Sequence, residues 1–139
     1  MSATEYKSAR NAFANMNRNP TAATMQESAR ETLEVLVQGN IKKSLQNSGM
    51  GVAQADTQAT TRAKAVMDKL AALHDPDMVA GGWMHPNPTG LGRADVNSSI
   101  GGSWNQNDRA AGMDREADRA IASGEGDKKM NVKLEPCRG

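Results

Sequence analysis

The segment from Thr24 to Leu45, TMQESARETLEVLVQGNIKKSL, is the strongest indication of a helical fold because its apolar residues recur at helical intervals. That period places them on one face of an α-helix. The stripe consists of Met25, Ala29, Leu33, Leu36, Val37, Ile41 and Leu45. Thr24 and Glu27 have the spacing of a capping box, which favours a helix start at this point. The segment therefore predicts a long amphipathic helix.

Similar patterns predict helices on both sides of this segment. Ser2 and Glu5 repeat the capping-box spacing, and the helix that they begin is expected to end near Asn17. Glycine and small polar residues at 47–51 predict a turn. After that turn, apolar residues at helical spacing predict a third helix from about Val52 through Leu73.

The later segments are less regular. Residues 81–92 contain four Gly and two Pro, which predicts a glycine-rich loop. Residues 95–104 predict a short, irregular helix beside the third helix, and residues 107–122 predict a further helix with a solvated, salt-bridged charged face. Apolar and polar residues alternate over 130–134, which predicts a short C-terminal strand or an extended tail.

The composition agrees with a mainly α fold. Only 3% of the 139 residues are aromatic, and Ala, Met, Leu and Val supply most of the apolar content, which favours packed helices over a β-sandwich. A chain of this length suits one domain. We therefore expect a compact helical domain of about five helices over residues 1–139, with the N-terminal helices in 1–51 and the motif-bearing remainder in 52–139.

Cysteine content and hydropathy exclude several classes of protein. Cys137 is the only cysteine, so the chain can form neither an intramolecular disulfide nor a cysteine-based zinc site. No segment approaches the roughly 20 apolar residues of a membrane span, and the N-terminus lacks the apolar core of a signal peptide. We therefore expect no membrane span and no classical export signal.

The charge is unevenly distributed along the chain. The net charge is +1, with nine Lys and Arg against six Asp and Glu up to Leu73, and eight against ten from His74 onward. The acidic second half favours a cation site or a basic protein partner over bare phosphate contact.

The stretch His74, Asp75, Pro76 and Asp77 carries the most chemistry. Pro76 disfavours continuation of the third helix, so His74 is expected at a helix end and Asp75 is expected to cap a short turn that contains Asp77. A neutral imidazole can act as a general base, and a carboxylate can orient it or bind a divalent cation. Such a pair with a metal suffices for phosphodiester hydrolysis. A His–Asp hydrogen bond that merely closes the helix end fits the same spacing.

Other polar residues can complete a site. Asn97, Ser98 and Ser99 supply neutral donors and acceptors that can orient a phosphate or support His74. His85 lies in the glycine-rich loop, where it either approaches His74 or stays exposed.

The two tryptophans and the common enzyme templates add little. In a chain with so few aromatics, Trp83 and Trp104 fit core anchors better than base-stacking platforms. The chain contains no P-loop, Rossmann glycine signature, nucleophile elbow or His-Glu-x-x-His motif.

Several ordered blocks resemble a known family. They are LHDPDMVAGG at 73–82, GLG at 90–92, VNSSIG at 96–101 followed by Trp104, and MNVKL at 130–134. In these blocks the chain resembles the polymorphic toxin type 15 domain, whose members are bacterial toxin modules often found at the C-termini of Rhs-type or type VI secretion effectors. The resemblance covers residues 70–134 and implies an all-α fold with a His-x-x-Asp motif.

The resemblance also implies an activity. It implies a DNase that depends on a divalent cation, with Mg²⁺ expected, and that acts on competitor bacteria. The family's catalytic residues fall on His74 and Asp77. We expect His74 to act as general base or to orient the metal, Asp77 to bind the metal or to partner His74, and Asp75 to be a supporting carboxylate. Arg93 and Lys133, with basic residues of the N-terminal helices, are expected to contact the DNA backbone.

The resemblance further implies partners and a location. A cognate immunity protein is expected to hold the toxin inactive in the cytoplasm of the producer. The toxin is then expected to be secreted, as part of a larger effector, into the cytoplasm of a target bacterium.

Two alternatives to a DNase stay open. In the first, the chain is a non-catalytic helical interaction module whose acidic second half docks a partner. In the second, the same His and Asp act on RNA or on a nucleotide.

Overall fold

A computed structural model describes residues 1–131. Five α-helices and one two-stranded antiparallel sheet make up most of this part of the chain, so the mainly α prediction of about five helices is confirmed. The elements are α1 (Ala3–Met16), α2 (Pro20–Asn47), α3 (Val52–Met67), β1 (Leu70–Leu73), β2 (Gly90–Arg93), α4 (Ala94–Ser103) and α5 (Arg109–Ala122). Two 3-10 turns, Met78–Ala80 and Gly82–Met84, lie between the strands.

The helices pack mainly as two pairs, α1 with α5 and α2 with α3. The first pair encloses a fully buried cluster around Tyr6, while the second pair is closed largely by the small side chains of α3. The buried residues of the second pair include Leu45, Ala55, Ala59 and Ala63. The 3-10 turns contact α1, and the strands contact α2, α3 and α4. The segment between α3 and α4 therefore links the two pairs.

The start of α1 confirms its predicted capping box. The Ser2 hydroxyl accepts a hydrogen bond from the Glu5 backbone N–H at 3.2 Å, and the Glu5 carboxylate accepts one from the Ser2 N–H at 2.7 Å. The helix ends at Met16, and Asn17 follows with a left-handed φ of 57°. Local sequence therefore accounts for both ends of this helix.

The long second helix is confirmed, but its predicted start is wrong. It begins at Pro20, and the Asn19 side chain caps it by accepting a hydrogen bond from the Thr21 N–H at 3.0 Å. Proline costs nothing at the first helical position because its missing N–H has no helical partner there, so the helix extends four residues further back than Thr24. Its apolar stripe is covered unevenly, since Leu45 is buried whereas Leu36 is 60% exposed.

The predicted third helix is too long. It ends at Met67, and the apolar run Leu70–Leu73 pairs antiparallel with β2. The Arg30 guanidinium of α2 donates hydrogen bonds to the carbonyl oxygens of Met67 and Leu70 at 2.9 and 2.6 Å, and so occupies acceptors that a continued helix would use. A four-residue apolar run fits either structure, and long-range pairing decides between them.

The glycine-rich loop contains more structure than predicted. Its last residues belong to β2, and Gly92 leaves room for Leu73, whose Cδ1 would lie 2.7 Å from a Cβ at that position. The short helix after it, α4, packs against both strands. The sequence predicts that this helix lies beside the end of the third helix, but that end is the strand β1 in the structure.

The C-terminal part of the prediction is tested only in part. Helix α5 forms as predicted, and its charged face carries ion pairs such as Arg119–Glu116 at 2.7 Å. Lys129 forms an isolated bridge with Ser2, but residues 132–134 of the predicted strand lie outside the described residues. None of the helices within residues 1–131 is long and apolar enough to cross a bilayer.

Candidate active site

Strand pairing positions His74. Leu73 lies opposite Gly90 in the sheet, and its carbonyl oxygen accepts a hydrogen bond from the Thr89 N–H at 2.9 Å. The backbone just before His74 is therefore fixed by a partner 16 residues away in the chain. The prediction that His74 ends a helix is wrong, because the chain leaves α3 at Met67 and enters the sheet.

A tight turn positions Asp77. It is the N-cap of the Met78–Ala80 turn, and its side chain accepts a weak hydrogen bond from the Val79 N–H at 3.4 Å. Its backbone carbonyl accepts from the N–H groups of Ala80 and Gly82 at 2.8 and 2.9 Å. The chain wraps so closely here that a Cβ on Gly82 would collide with the Pro76 carbonyl oxygen.

The capping role predicted for Asp75 belongs to Asp77. The turn begins after Pro76, and Asp77 has the extended backbone that a capping residue adopts, with φ −55° and ψ 145°. Asp75 is exposed and lines a groove with Glu5 and His85, and it also borders a second cavity together with His74 and Asp77.

Trp104 orients the Asp77 carboxylate. Its indole N–H donates to Asp77 Oδ2 at 3.3 Å, while Asp77 Oδ1 faces the Val79 N–H. Each carboxylate oxygen therefore holds one weak hydrogen bond and keeps further acceptor capacity. Trp104 was expected as a core anchor, and its half-buried ring also carries this polar contact.

Gln26 of α2 holds the His74 ring. The two side-chain nitrogens, Gln26 Nε2 and His74 Nε2, lie 2.9 Å apart. Because an amide nitrogen only donates, this contact requires an unprotonated His74 Nε2 and places the ring proton on Nδ1. Nδ1 is buried, and no group within residues 1–131 makes a hydrogen bond of regular geometry to it.

The surroundings of His74 favour its neutral form. Burial is the largest effect and lowers the pKa of the imidazole below the ordinary histidine value. The His85 backbone and the Asp77 carboxylate act in the opposite direction, while the positive charge of Arg18 lowers the pKa further. His74 is therefore an uncharged base at neutral pH.

The negative charge of Asp77 raises the pKa of His74, but no hydrogen bond joins the two side chains within residues 1–131. The ring nitrogen bonds Gln26, and the carboxylate bonds Trp104 and the turn. The alternative in which a His–Asp hydrogen bond closes a helix end is therefore wrong for this structure.

Both side chains line one cleft of about 400 Å³. Helix α4 forms one wall, to which it contributes Asn97 and Ser98. The side chains of these two residues make no hydrogen bond to any described residue, so they can bind a ligand. Ser99, predicted beside them, is exposed and does not line the cleft, because helical geometry turns it to another face.

The residues predicted to contact DNA are not gathered at the cleft. Arg93 is exposed and bonds the Asp95 carboxylate at 2.6 and 3.1 Å. Lys133 lies outside the described residues. His85 is exposed, and although its backbone lies near His74, its side chain borders the groove that holds Glu5.

The sequence prediction missed two polar residues of the cleft, Arg18 and Gln26. Both come from the N-terminal half, for which the sequence indicates basic residues at the DNA backbone without singling out either of these two. A local signal existed for one of them. Gln26 and Arg30 are four residues apart beside the apolar stripe of α2, so they share a helix face, and both contact the segment that ends at His74.

The donor set around the site limits which metals it can bind. Within residues 1–131, no three His, Cys, Asp or Glu side chains converge on a common point. A preassembled zinc-type cage, which needs three or four such ligands, therefore does not fit these residues. Mg²⁺ needs less from the protein, because it keeps several waters and binds one or two carboxylates together with substrate phosphates. Asp77 in an open cleft meets that requirement.

Comparison with known proteins agrees with the resemblance drawn from the sequence blocks. A family model described as Novel toxin 15 matches residues 1–137, which include the N-terminal helices that supply Arg18 and Gln26. No curated protein significantly matches the chain. The match covers nearly the whole chain, and the chain therefore belongs to the Novel toxin 15 family of polymorphic toxin domains.

Proposed function

We propose that this toxin domain is a DNase that hydrolyses phosphodiester bonds in the cleft lined by His74 and Asp77. The observation that chiefly supports the proposal is the meeting of a neutral imidazole and a carboxylate in one cleft with unpaired neutral donors. Hydrolysis of a phosphodiester needs a base for the attacking water and relief of negative charge on the phosphate. The cleft offers groups for both tasks.

In this mechanism His74 is the general base. Its Nε2 is the unprotonated nitrogen, and its lone pair accepts the Gln26 N–H, so the Gln26 amide would turn away from the ring to let the attacking water reach Nε2. As water attacks phosphorus, its proton passes to Nε2, and the bond to one sugar oxygen breaks. That oxygen leaves with the electron pair and takes a proton from solvent. Burial suits His74 to this role because it keeps the ring neutral before the reaction.

Asp77 would hold the divalent ion, expected to be Mg²⁺, through carboxylate lone pairs that Trp104 and Val79 leave free. A bound Mg²⁺ supplies Lewis-acid stabilisation of the charge on the phosphate oxygens. Asn97 and Ser98 would position the phosphate from the α4 wall by neutral hydrogen bonds.

Membership of the toxin family supports a proposed biological setting. The toxin would be delivered by secretion, as part of a larger effector, into the cytoplasm of a competitor bacterium. A cognate immunity protein would bind it in the producer and block the cleft. Cleavage would need no sequence preference, because contacts to phosphate and sugar carry no base information.

Plasmid cleavage tests the proposal. With Mg²⁺, the wild-type protein should degrade plasmid DNA, and EDTA should stop it. His74→Ala and Asp77→Asn should each lower the cleavage rate by at least about 100-fold, as expected for loss of a general base or a metal ligand. Asn at 77 keeps an oxygen that can accept from the Val79 N–H, so the turn should survive.

The matched controls are His85→Ala, which removes an imidazole from the neighbouring groove, and Asp68→Asn, which removes an exposed carboxylate that pairs with Lys64. Both should cut DNA at close to the wild-type rate. Equal activity in all four variants would refute the site. Cleavage of RNA or nicotinamide dinucleotide but not of DNA would show that the toxin acts on that molecule. Binding of DNA without cleavage under any metal would favour an interaction module.

A further inference from the structure

Arg18 stands out among the residues of the cleft. It lies in the linker between α1 and α2, and among the described residues that line the cleft it is the one Arg or Lys. It makes no ion pair or hydrogen bond with any residue in 1–131, although eight ion pairs are present elsewhere in that part of the chain. Its charge also lowers the pKa of His74, so its guanidinium acts within electrostatic range of that ring.

The backbone of Arg18 is fixed on both sides by one tryptophan. The Asn17 carbonyl oxygen accepts from the Trp83 indole N–H at 2.9 Å, and the Asn19 side chain donates to the Trp83 carbonyl oxygen at 2.8 Å. Asn19 also caps α2 through the Thr21 N–H. The linker is therefore held in place before any ligand arrives, although the Arg18 side chain itself is exposed.

The guanidinium of Arg18, which has no partner among the described residues, can bind an anionic ligand in the cleft. Asp77 is the one carboxylate among the described lining residues, yet Arg18 does not pair with it. A guanidinium offers five N–H donors in a planar fork that matches two oxygens of a phosphate. The remaining polar lining groups, including Asn97 and Ser98, are neutral.

We infer that Arg18 binds a phosphate of the substrate backbone in the cleft, an inference that rests on the nuclease function proposed above. Arg18 thereby takes the role first expected of Arg93, whose guanidinium is engaged by Asp95. It also explains how an acidic second half can act on a polyanion, since the binding charge comes from the first half of the chain.

DNA binding without turnover tests this inference. Affinity for a fluorescently labelled 12-base-pair duplex is measured in EDTA over a range of salt for wild type, Arg18→Gln and Arg18→Lys. Arg18→Gln should weaken binding by about ten-fold or more and reduce the slope of log affinity against log salt by about one. Arg18→Lys should keep the salt slope and recover part of the affinity, which a purely structural role would not predict.

The control is Arg62→Gln, which removes an exposed arginine of α3 whose one hydrogen bond within residues 1–131 goes to Gln58 on the same helix. If Arg18→Gln and Arg62→Gln bind equally well while the wild-type protein still cuts plasmid with Mg²⁺, the inference fails and the nuclease function stands. If the wild-type protein neither binds the duplex nor cuts DNA, the proposed function fails and the inference fails with it.

Discussion

The α1–α5 pair and the α2–α3 pair each support one half of the site through an arginine. Arg10 of α1 makes two hydrogen bonds to the Asp114 carboxylate of α5, at 3.1 and 2.9 Å. The same guanidinium donates to the Val79 carbonyl oxygen at 2.8 Å. Since Val79 belongs to the turn that Asp77 caps, this ion pair ties the carboxylate half of the site to both helices.

Arg30 serves the imidazole half, but with neutral partners. It donates to the carbonyl oxygens of Met67 and Leu70, where α3 gives way to the strand before His74. The two arginines therefore differ in what their removal leaves behind. Loss of Arg10 leaves a half-buried carboxylate without its counter-charge. Loss of Arg30 leaves neutral carbonyl groups, which cost less free energy when they lose a hydrogen-bond donor.

The two helix pairs also differ in how completely their side chains are buried. Tyr6 in the first pair is fully buried, and burial raises the pKa of its hydroxyl above the ordinary range. In the second pair, Val35 and Leu36 of α2 are 70% and 60% exposed. We conclude that the first pair is the better packed support, and that damage to it should cost more stability.

The largest effect is expected from Tyr6→Ala. Removing a fully buried aromatic ring should lower the free energy of unfolding by about 3–5 kcal/mol. Tyr6→Phe deletes the hydroxyl, which makes a long 3.4 Å hydrogen bond to the Ala110 carbonyl and interacts with Arg10 and Asp114, and should cost about 1 kcal/mol. Urea unfolding followed by circular dichroism measures both. Equal losses in the two variants would show that ring packing does not support this pair.

A smaller effect separates the two arginines. Arg10→Met should lower the free energy of unfolding by about 2 kcal/mol and Arg30→Met by about 1 kcal/mol, because only the first leaves a charge unpaired. In the double variant Arg10→Met with Asp114→Asn, part of the loss should return. A larger loss of unfolding free energy in Arg30→Met than in Arg10→Met, measured in the same urea titration, would contradict this difference between the two pairs.

The smallest effect concerns the pKa of His74. Asp77→Asn removes a charge that raises this pKa and should lower it, while Arg18→Gln removes a charge that lowers it and should raise it. NMR titration of the imidazole C–H signals measures both shifts, and His85→Gln assigns the two histidines. Shifts in the same direction in both variants would contradict the geometry.

The sign of the pH dependence follows from the lowered pKa. Between the folded pKa of His74 and the ordinary value of about 6.5, the unfolded chain binds more protons, so stability rises with pH in that window. Cleavage should fall as pH drops through the folded pKa, because the base becomes protonated. Arg18→Gln should therefore move the acid limb of the cleavage profile to higher pH.

Local signals predicted those elements whose stability is local. The capping box at Ser2, the apolar period of α2 and the charged face of α5 all reappear in the structure, because caps and helical periodicity act within a few residues. The strand Leu70–Leu73 was not predicted, because four apolar residues after a helix fit a continuation of that helix equally well.

The amino-acid sequence alone is enough to predict a mainly α chain and the family resemblance, and it singles out His74 and Asp77 as candidate catalytic residues, a role that stays a prediction. Only the tertiary structure decided that a strand precedes His74, that Trp104 orients Asp77, and that Arg18 and Gln26 reach the same cleft. The physical reason is distance along the chain. Gln26 and His74 are 48 residues apart, and only the packing of α2 against the sheet brings them together.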